Sequence, residues 1–171
     1  MVNGAFALMS TAAGPARSAS AANARASPAK AIAATTSATT RIARAGEHVT
    51  LISFSIGVTY ALAAAEELAK EGIEAEIIHL RTLRPFDLST IIQSVKKTGR
   101  CVAIEEGWPQ CGISSELAMC IQEEAFDYLD APILRVTGKN VPMPYAANLE
   151  KLALPSIAEI IHAAKAVLYR N

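Results

Sequence analysis

Residues 49–54 have the sequence Val49-Thr50-Leu51-Ile52-Ser53-Phe54, a short run dominated by apolar and β-branched side chains. Such a run is typical of a strand that is buried on both faces of a sheet. The next segment, Thr59 to Glu71, repeats apolar residues at helical spacing, and Gly72 stands where a left-handed helix cap is favoured. This strand followed by a helix is the unit from which we predict the fold.

The same alternation continues to the end of the chain. Ser156 and Glu159 form a capping box that predicts the start of the last helix. Buried-type strands alternating with helices predict an α/β fold, a three-layer sandwich with a mostly parallel sheet of four to five strands. We predict further strands at Ala75–Leu80, Cys101–Ile104 and Ile133–Val136, and further helices starting at Asp87, spanning Ser114–Gln122 and spanning Ser156–Tyr169.

Composition and charge exclude several classes of function. The chain has 171 residues, of which 51% are hydrophobic, enough for one domain with a buried core. Residues 1–46 contain five Lys or Arg and no acid. From Glu47 onward, the chain has sixteen acids and eleven Lys or Arg, which gives a charge of −5. A domain with this negative charge is not expected to bind nucleic acid. No apolar run approaches the ~18 residues of a spanning helix, so we expect no membrane insertion.

Residues 1–45 differ from the rest of the chain, because they are rich in Ala and Ser and lack a sustained apolar face. Their composition resembles an organellar transit peptide. A disordered extension, or a stretch left by an incomplete reading frame where another domain should stand, fits equally well. We predict a domain boundary near residue 45, with residues 46–171 forming the folded domain.

The sequence contains no self-contained catalytic set. Glycine-rich phosphate loops and a nucleophile elbow are both absent. The cysteines Cys101, Cys111 and Cys120 are too widely spaced for a typical zinc site, and we expect reduced thiols. His79 is the only histidine placed for function, although a hydrogen-bonded structural role fits it better. We predict no catalytic, cofactor-binding or metal-binding residue in this chain.

Two pairs of charged residues follow predicted strands. Glu105 and Glu106 point to opposite sides, and we expect one of them to bond the loop amides before Trp108. Arg81 and Arg84 lie on one loop, where two guanidinium groups can hold carboxylates bidentately. An ion pair within the chain or at a subunit interface is the commoner arrangement for such a pair, and a small-anion site is the sharper hypothesis.

Two further loops carry apolar residues. Trp108, the only tryptophan, lies between Gly107 and Pro109, as a partner-contacting anchor or as a plug beneath the loop. The run Val141-Pro142-Met143-Pro144-Tyr145 contains two prolines, which exclude pairing in a central strand. We expect this proline run to cross the surface in an extended form.

Five motifs occur in a fixed order along the chain, and together they resemble the carboxy-terminal domain of the pyruvate dehydrogenase beta subunit family, a transketolase C-terminal-like domain. The resemblance covers about Ile42 to Asn171. The related branched-chain enzymes differ after the third strand and at the proline run. The motifs are Leu80-Arg81-Thr82-Leu83-Arg84-Pro85-Phe86-Asp87, Glu105-Glu106-Gly107-Trp108-Pro109-Gln110, Leu129-Asp130-Ala131-Pro132, Val136-Thr137-Gly138 and Val141-Pro142-Met143-Pro144-Tyr145-Ala146.

This resemblance implies an enzyme of two alpha and two beta chains. Such an enzyme decarboxylates pyruvate on thiamine diphosphate, with Mg²⁺, and passes the acetyl group to the lipoyl arm of an acetyltransferase core. The cofactor lies between the alpha chain and the amino-terminal domain of beta, which is missing here, so we expect none bound by this chain alone. The resemblance also implies that Asp130 and the terminal carboxylate of Asn171 meet basic residues of the core's subunit-binding domain.

We therefore predict an assembly and docking domain of a beta subunit, inactive alone, in a mitochondrial matrix or a bacterial cytoplasm. Its partners are the alpha subunit, a second beta subunit and the subunit-binding domain of the core. A stand-alone docking or regulatory module, a beta subunit of a related 2-oxo-acid dehydrogenase and an anion sensor remain alternatives. His79 and Cys111 depart from the family pattern. The predicted partner-binding residues are Asp130, Asn171, Trp108, Arg81 and Arg84.

Overall fold

The computed structural model of the protein describes residues 39–170. Strands and helices alternate through most of this part of the chain, and none of its helices has the length and apolar character needed to cross a membrane. The elements are β1 (Thr40–Arg44), β2 (Val49–Ser53), α1 (Gly57–Lys70), β3 (Ala75–Leu80), α2 (Leu88–Thr98), β4 (Cys101–Ile104), α3 (Ile113–Ala125), a 3₁₀ turn (Phe126–Tyr128), β5 (Leu134–Val136), α4 (Ala147–Ala153) and α5 (Ile157–Val167).

The five strands form one sheet in the order β1-β3-β2-β4-β5. Strands β2 to β5 are parallel, and β1 is antiparallel to β3 at one edge. Helices α1 and α5 pack on one face of the sheet, and α2 and α3 pack on the other. The predicted three-layer α/β sandwich with a mostly parallel sheet is confirmed.

Three helix ends lie where the sequence predicts them. After α1, Gly72 has a φ of 75° and donates its N–H to the carbonyl of Ala69 at 3.0 Å, which ends the helix in a left-handed cap. The side chain of Asp87 caps α2 by accepting from the amide of Thr90. Ser156 and Glu159 form the expected capping box at the start of α5. Each of these ends is set by local residues, so the sequence alone could place it.

Strand β1 corrects the predicted domain boundary, because residues 40–44 belong to the sheet and not to the amino-terminal extension. Thr40, only 1% exposed, lies opposite Leu80, and Arg41 lies opposite His79. The folded unit therefore begins at or before Thr40. The prediction of a transit-like or disordered extension concerns mainly residues 1–38, which lie outside the described residues, and it stays a prediction.

Smaller differences occur towards the carboxyl end. Helix α4 follows the proline run where the sequence predicted no element. It has seven residues and no side-chain cap, so it lacks the signals that mark the other helices. Helix α5 ends at Val167 rather than at Tyr169, whose φ of 55° is incompatible with a continued helix.

Three polar contacts, each with a buried residue of the sheet, fix α2 on the sheet. On the central strand β2, the hydroxyl of Thr50 lies 2.8 Å from that of Ser94 and 2.8 Å from that of Thr98. On β3, the buried carboxylate of Glu76 pairs with the ammonium of Lys97 in the last turn of the helix. Buried polar groups are costly when they are unpaired. These contacts therefore determine the orientation of α2 on the sheet and also stabilise its packing there.

Removal of β1 tests the corrected boundary. A chain that starts at Gly46 should be less stable than one that starts at Ser37, since it loses the four cross-strand pairs between β1 and β3. At about 0.2–1 kcal/mol for each pair, the expected loss in the free energy of unfolding is about 1–4 kcal/mol. Urea unfolding followed by circular dichroism would measure it, and equal midpoints for the two chains would contradict a structural role for β1.

Candidate docking surface

The loop after β4 is anchored by a buried carboxylate. Glu105 is 3% exposed and lies just beyond the last residue of the strand. Its carboxylate accepts hydrogen bonds from the amide of Ser114 at 3.3 Å and from the hydroxyl of the same residue at 2.8 Å. Ser114 lies in the first turn of α3, so Glu105 occupies the positive amino end of that helix. We expected one of the two glutamates to bond amides before Trp108, and Glu105 instead bonds the helix that follows the loop.

The second glutamate faces the other side of the strand end, as expected for adjacent residues. Glu106 is half-buried and accepts a hydrogen bond of 3.4 Å from the hydroxyl of Tyr60 on α1. Burial, and then the charge of Glu106, raise the pKa of the Tyr60 hydroxyl. Tyr60 therefore stays protonated at neutral pH and can donate to the carboxylate.

The loop that carries Trp108 is joined to the proline run and to the residues before it by hydrogen bonds to main-chain carbonyls. The amide of Gly138 donates to the carbonyl of Gly107 at 2.9 Å, and the indole Nε1 of Trp108 donates to the carbonyl of Val141 at 3.0 Å. The Arg135 guanidinium adds a bond of 2.8 Å to the carbonyl of Pro109. Two segments distant in sequence are thereby held as one surface.

Trp108 is 55% exposed, so the plug alternative is wrong and the residue is available to a partner. Further large apolar side chains lie exposed on the proline run and on α4 directly after it. Exposed aromatic and aliphatic residues on a preformed loop are typical of protein interfaces. We call this the Trp108 surface, and it comprises Trp108, Val141, Met143, Tyr145, Leu149 and Leu152.

Asp130 lies at the opposite end of the strands. Its amide donates to the carbonyl of Gly99 at 2.8 Å, just before β4 begins, whereas the Trp108 loop starts where β4 ends. The Asp130 carboxylate pairs with the Arg100 guanidinium at 3.0 Å but remains 57% exposed. A cavity of about 340 Å³ beside it is lined by Phe126, Leu129 and Pro132 among other residues. The predicted partner-binding residues therefore do not form one site.

Arg81 and Arg84 are both exposed on the loop after β3. Within residues 39–170, neither side chain makes an ion pair or a hydrogen bond, so the structure shows no intrachain partner for this pair. Both guanidinium groups are available to an external acid. Asn171, the fifth predicted partner-binding residue, lies outside the described residues.

His79 is half-buried on β3, and within the described part of the chain its ring has no hydrogen-bond partner. The described residues therefore lend no support to the expected hydrogen-bonded structural role, which stays a prediction. Burial lowers the pKa of His79, and the charges of Arg81 and Arg41 lower it further. Arg41 belongs to β1, a strand that the sequence pattern does not predict. The position of Arg41 beside His79 could therefore not be predicted from the sequence.

The cysteines show no sign of a shared centre. Cys101 is fully buried in β4, and burial raises its pKa to about 12, so it is an unreactive core residue. Burial and the neighbouring Glu116 and Glu123 raise the pKa of Cys120. Cys111 is exposed on the Trp108 loop with a φ of 55°. Among residues 39–170, no group of three or more His, Cys, Asp or Glu side chains could hold a metal ion.

The mostly parallel sheet with one antiparallel edge strand places the chain among the open α/β sandwich domains. The family model described as "Transketolase, C-terminal domain" matches residues 38–160, and the chain belongs to this family. A solved structure titled "Split gene transketolase, inactive beta4 tetramer" is similar with a TM-score of 0.67 and 25% identity, over 76% of this chain and 41% of that chain.

Within the family, the chain is similar to beta subunits of pyruvate dehydrogenase. This similarity confirms the resemblance indicated by the five sequence motifs. It is 62% identical over 130 residues to "Pyruvate dehydrogenase E1 component subunit beta" of Rhizobium meliloti (strain 1021). It is 54% identical over 131 residues to "Pyruvate dehydrogenase E1 component subunit beta-1, mitochondrial" of Arabidopsis thaliana. These matches cover 76% and 77% of this chain but only 28% and 36% of the two relatives, so the chain spans about a third of their length.

Substitution of Gly112 by alanine tests the anchor of the Trp108 loop. A Cβ at this position would lie 1.9 Å from the carboxylate Oε1 of Glu105 and 2.7 Å from the carbonyl of Trp108. Gly112→Ala should lower the free energy of unfolding by about 1–3 kcal/mol, as overpacking does elsewhere. Gly107→Ala is the matched control, since its Cβ would meet nothing closer than 3.8 Å. Equal free energies of unfolding for the two variants in urea would show that the close packing of Gly112 against Glu105 does not contribute to the stability of the domain.

Proposed function

We propose that this chain is the carboxy-terminal domain of the beta subunit of a thiamine-diphosphate-dependent pyruvate dehydrogenase, that it serves assembly and docking, and that it is inactive alone. The observation that carries the proposal is the 62% identity to a pyruvate dehydrogenase beta subunit over a stretch that is only 28% of that protein. The exposed Trp108 surface adds a structural reason, because it presents large apolar side chains that remain about half exposed or more in the described structure.

The cofactor of such an enzyme would be thiamine diphosphate, anchored through Mg²⁺ at its diphosphate, and it would supply the carbanion chemistry that decarboxylates a 2-oxo acid. The residues described do not fit it. They contain no metal-binding cluster, and the amino end of α3, a natural place for a phosphate, is taken by the chain's own Glu105. We therefore assign cofactor binding to the alpha chain and to the amino-terminal domain of beta subunits.

We assign the Trp108 surface, with Arg81 and Arg84, to contacts with the other enzyme chains. The solved neighbour, whose title names an inactive beta4 tetramer, is an example of a related protein that assembles without activity, and this chain covers 41% of its length. The half-exposed carboxylate of Asp130 and the apolar cavity beside it suit a basic partner, such as the subunit-binding domain of the acetyltransferase core. A mitochondrial matrix or a bacterial cytoplasm fits relatives that include mitochondrial and bacterial proteins.

An activity assay tests the first part of this proposal. The purified chain, with thiamine diphosphate, Mg²⁺ and pyruvate, should reduce no artificial electron acceptor above background, because residues 39–170 offer no site that fits the cofactor. Addition of the alpha chain should not change this result. A complete enzyme of two alpha and two full-length beta chains serves as the positive control, and turnover by the short chain would overturn the assignment.

A charge substitution tests the docking role. Asp130→Asn should weaken binding of the basic subunit-binding domain by about 2- to 5-fold, as expected for one exposed ion pair, and added salt should reduce the difference. Asp127→Asn is the matched control, since Asp127 is an exposed acid three residues away with no ion pair in the described structure. Calorimetry that showed equal, salt-insensitive binding for both variants would exclude Asp130 as a docking residue.

A further inference from the structure

Three basic side chains meet at the end of the β1–β3 pair. Arg41 lies directly opposite His79, and the pairing continues past the end of β3, where the amide of Arg81 donates to the carbonyl of Thr39 at 2.9 Å. Residues opposite one another in an antiparallel pair share a face, and so do residues two apart along a strand. The side chains of Arg41, His79 and Arg81 therefore lie on the same face of the sheet.

That face is the one on which α1 begins. His79 follows Ala75 and Ile77 at two-residue spacing, and these pack in the core under α1. A Cβ added to Gly57, the first residue of α1, would lie 2.4 Å from the hydroxyl oxygen of Ser53, so the helix starts directly over Ser53. Ser53 is in turn the parallel partner of His79. The amino end of a 14-residue helix thus lies one strand away from the basic cluster.

Nothing in the described part of the chain offsets this concentration of positive charge. The side chains of Arg41, His79 and Arg81 have no acidic or hydrogen-bonding partner within residues 39–170. Helix α1 has no side-chain cap and no acid in its first turn, so its amino end keeps its partial positive charge. At this end of the sheet, Glu106 lies on the far side of β2, where it accepts from Tyr60.

We propose that Arg41, His79, Arg81 and the amino end of α1 form a binding site for a small oxyanion of the phosphate type. Guanidinium groups present parallel N–H donors that match pairs of oxygen atoms, and helix amino ends bind the same kind of group. A tetrahedral dianion accepts from all these donors and offsets more charge than a single carboxylate. Arg84 is not part of the site. The site shares Arg81 with the proposed contacts to the other enzyme chains, but it is separate from Asp130 and its cavity, which lie at the other end of the strands.

The three histidines of the chain allow a direct test with the full protein. Proton NMR resolves the imidazole signals of His48, His79 and His162, and the first and last serve as internal controls. Titration with sodium phosphate at constant ionic strength, with sodium chloride as the balancing salt, should shift the His79 signal to saturation. It should also raise the pKa of His79 by about 1, as a nearby opposite charge does, and leave the two controls unchanged.

Variants then identify the donors. Arg41→Gln and Arg81→Gln should each weaken phosphate binding at least about 10-fold, the effect of one lost charge-assisted hydrogen bond, whereas Arg84→Gln should bind as the parent chain does. The site would be refuted if phosphate shifted His79 no more than chloride, if all three histidines shifted in parallel, or if Arg84→Gln lost as much affinity as Arg81→Gln. The parent-chain titration decides the proposal even if a variant proves unstable.

Discussion

The buried carboxylate of Glu105 is the constraint on which the functional face of this domain depends. A carboxylate that is 3% exposed must be hydrogen-bonded, and Ser114 supplies both an amide and a hydroxyl. These hydrogen bonds hold the first turn of α3 against the end of β4. The residues between them therefore form a loop on the surface of the domain. Only glycine fits at position 112, where the loop returns beside the carboxylate. Trp108 lies in this loop between Glu105 and Gly112, and it is exposed.

The same contacts occupy the edge of the described sheet at which open α/β domains commonly bind ligands. In open α/β sheets, ligands bind at the carboxyl ends of adjacent strands whose connections leave on opposite faces. Here those strands are β2, followed by α1 on one face, and β4, followed by α3 on the other. Between them, Ser53 donates to the carbonyl of Ile104, Tyr60 donates to Glu106, and Glu105 caps α3. The chain's own polar groups use the donors and acceptors that a ligand would need.

Sequence patterns predicted those parts of the structure that depend on neighbours in the chain. The parallel strands and the capped helices follow from short apolar runs and from residues such as Gly72 and Ser156, which act locally. Strand β1 depends on a partner some 35 residues away, and its alternation of Arg41, Ile42 and Ala43 inside an Ala-rich segment carries no comparable signal. Trp108 and Asp130 were both identified, but their neighbours, Val141 and Arg100, come from tertiary packing.

The separation of the two candidate contact regions limits what either can bind. Strands of four to six residues, at about 3.3 Å per residue, put the Trp108 surface and Asp130 roughly 13–20 Å apart along the sheet. The two regions lie at opposite ends of the strands, so a small partner that covers one region leaves the other accessible. A domain built in this way presents one candidate contact region at the carboxyl ends of its strands and the other at the amino ends. Because parallel strands fix which loops appear at which edge, that division of surfaces follows from the topology of the sheet itself.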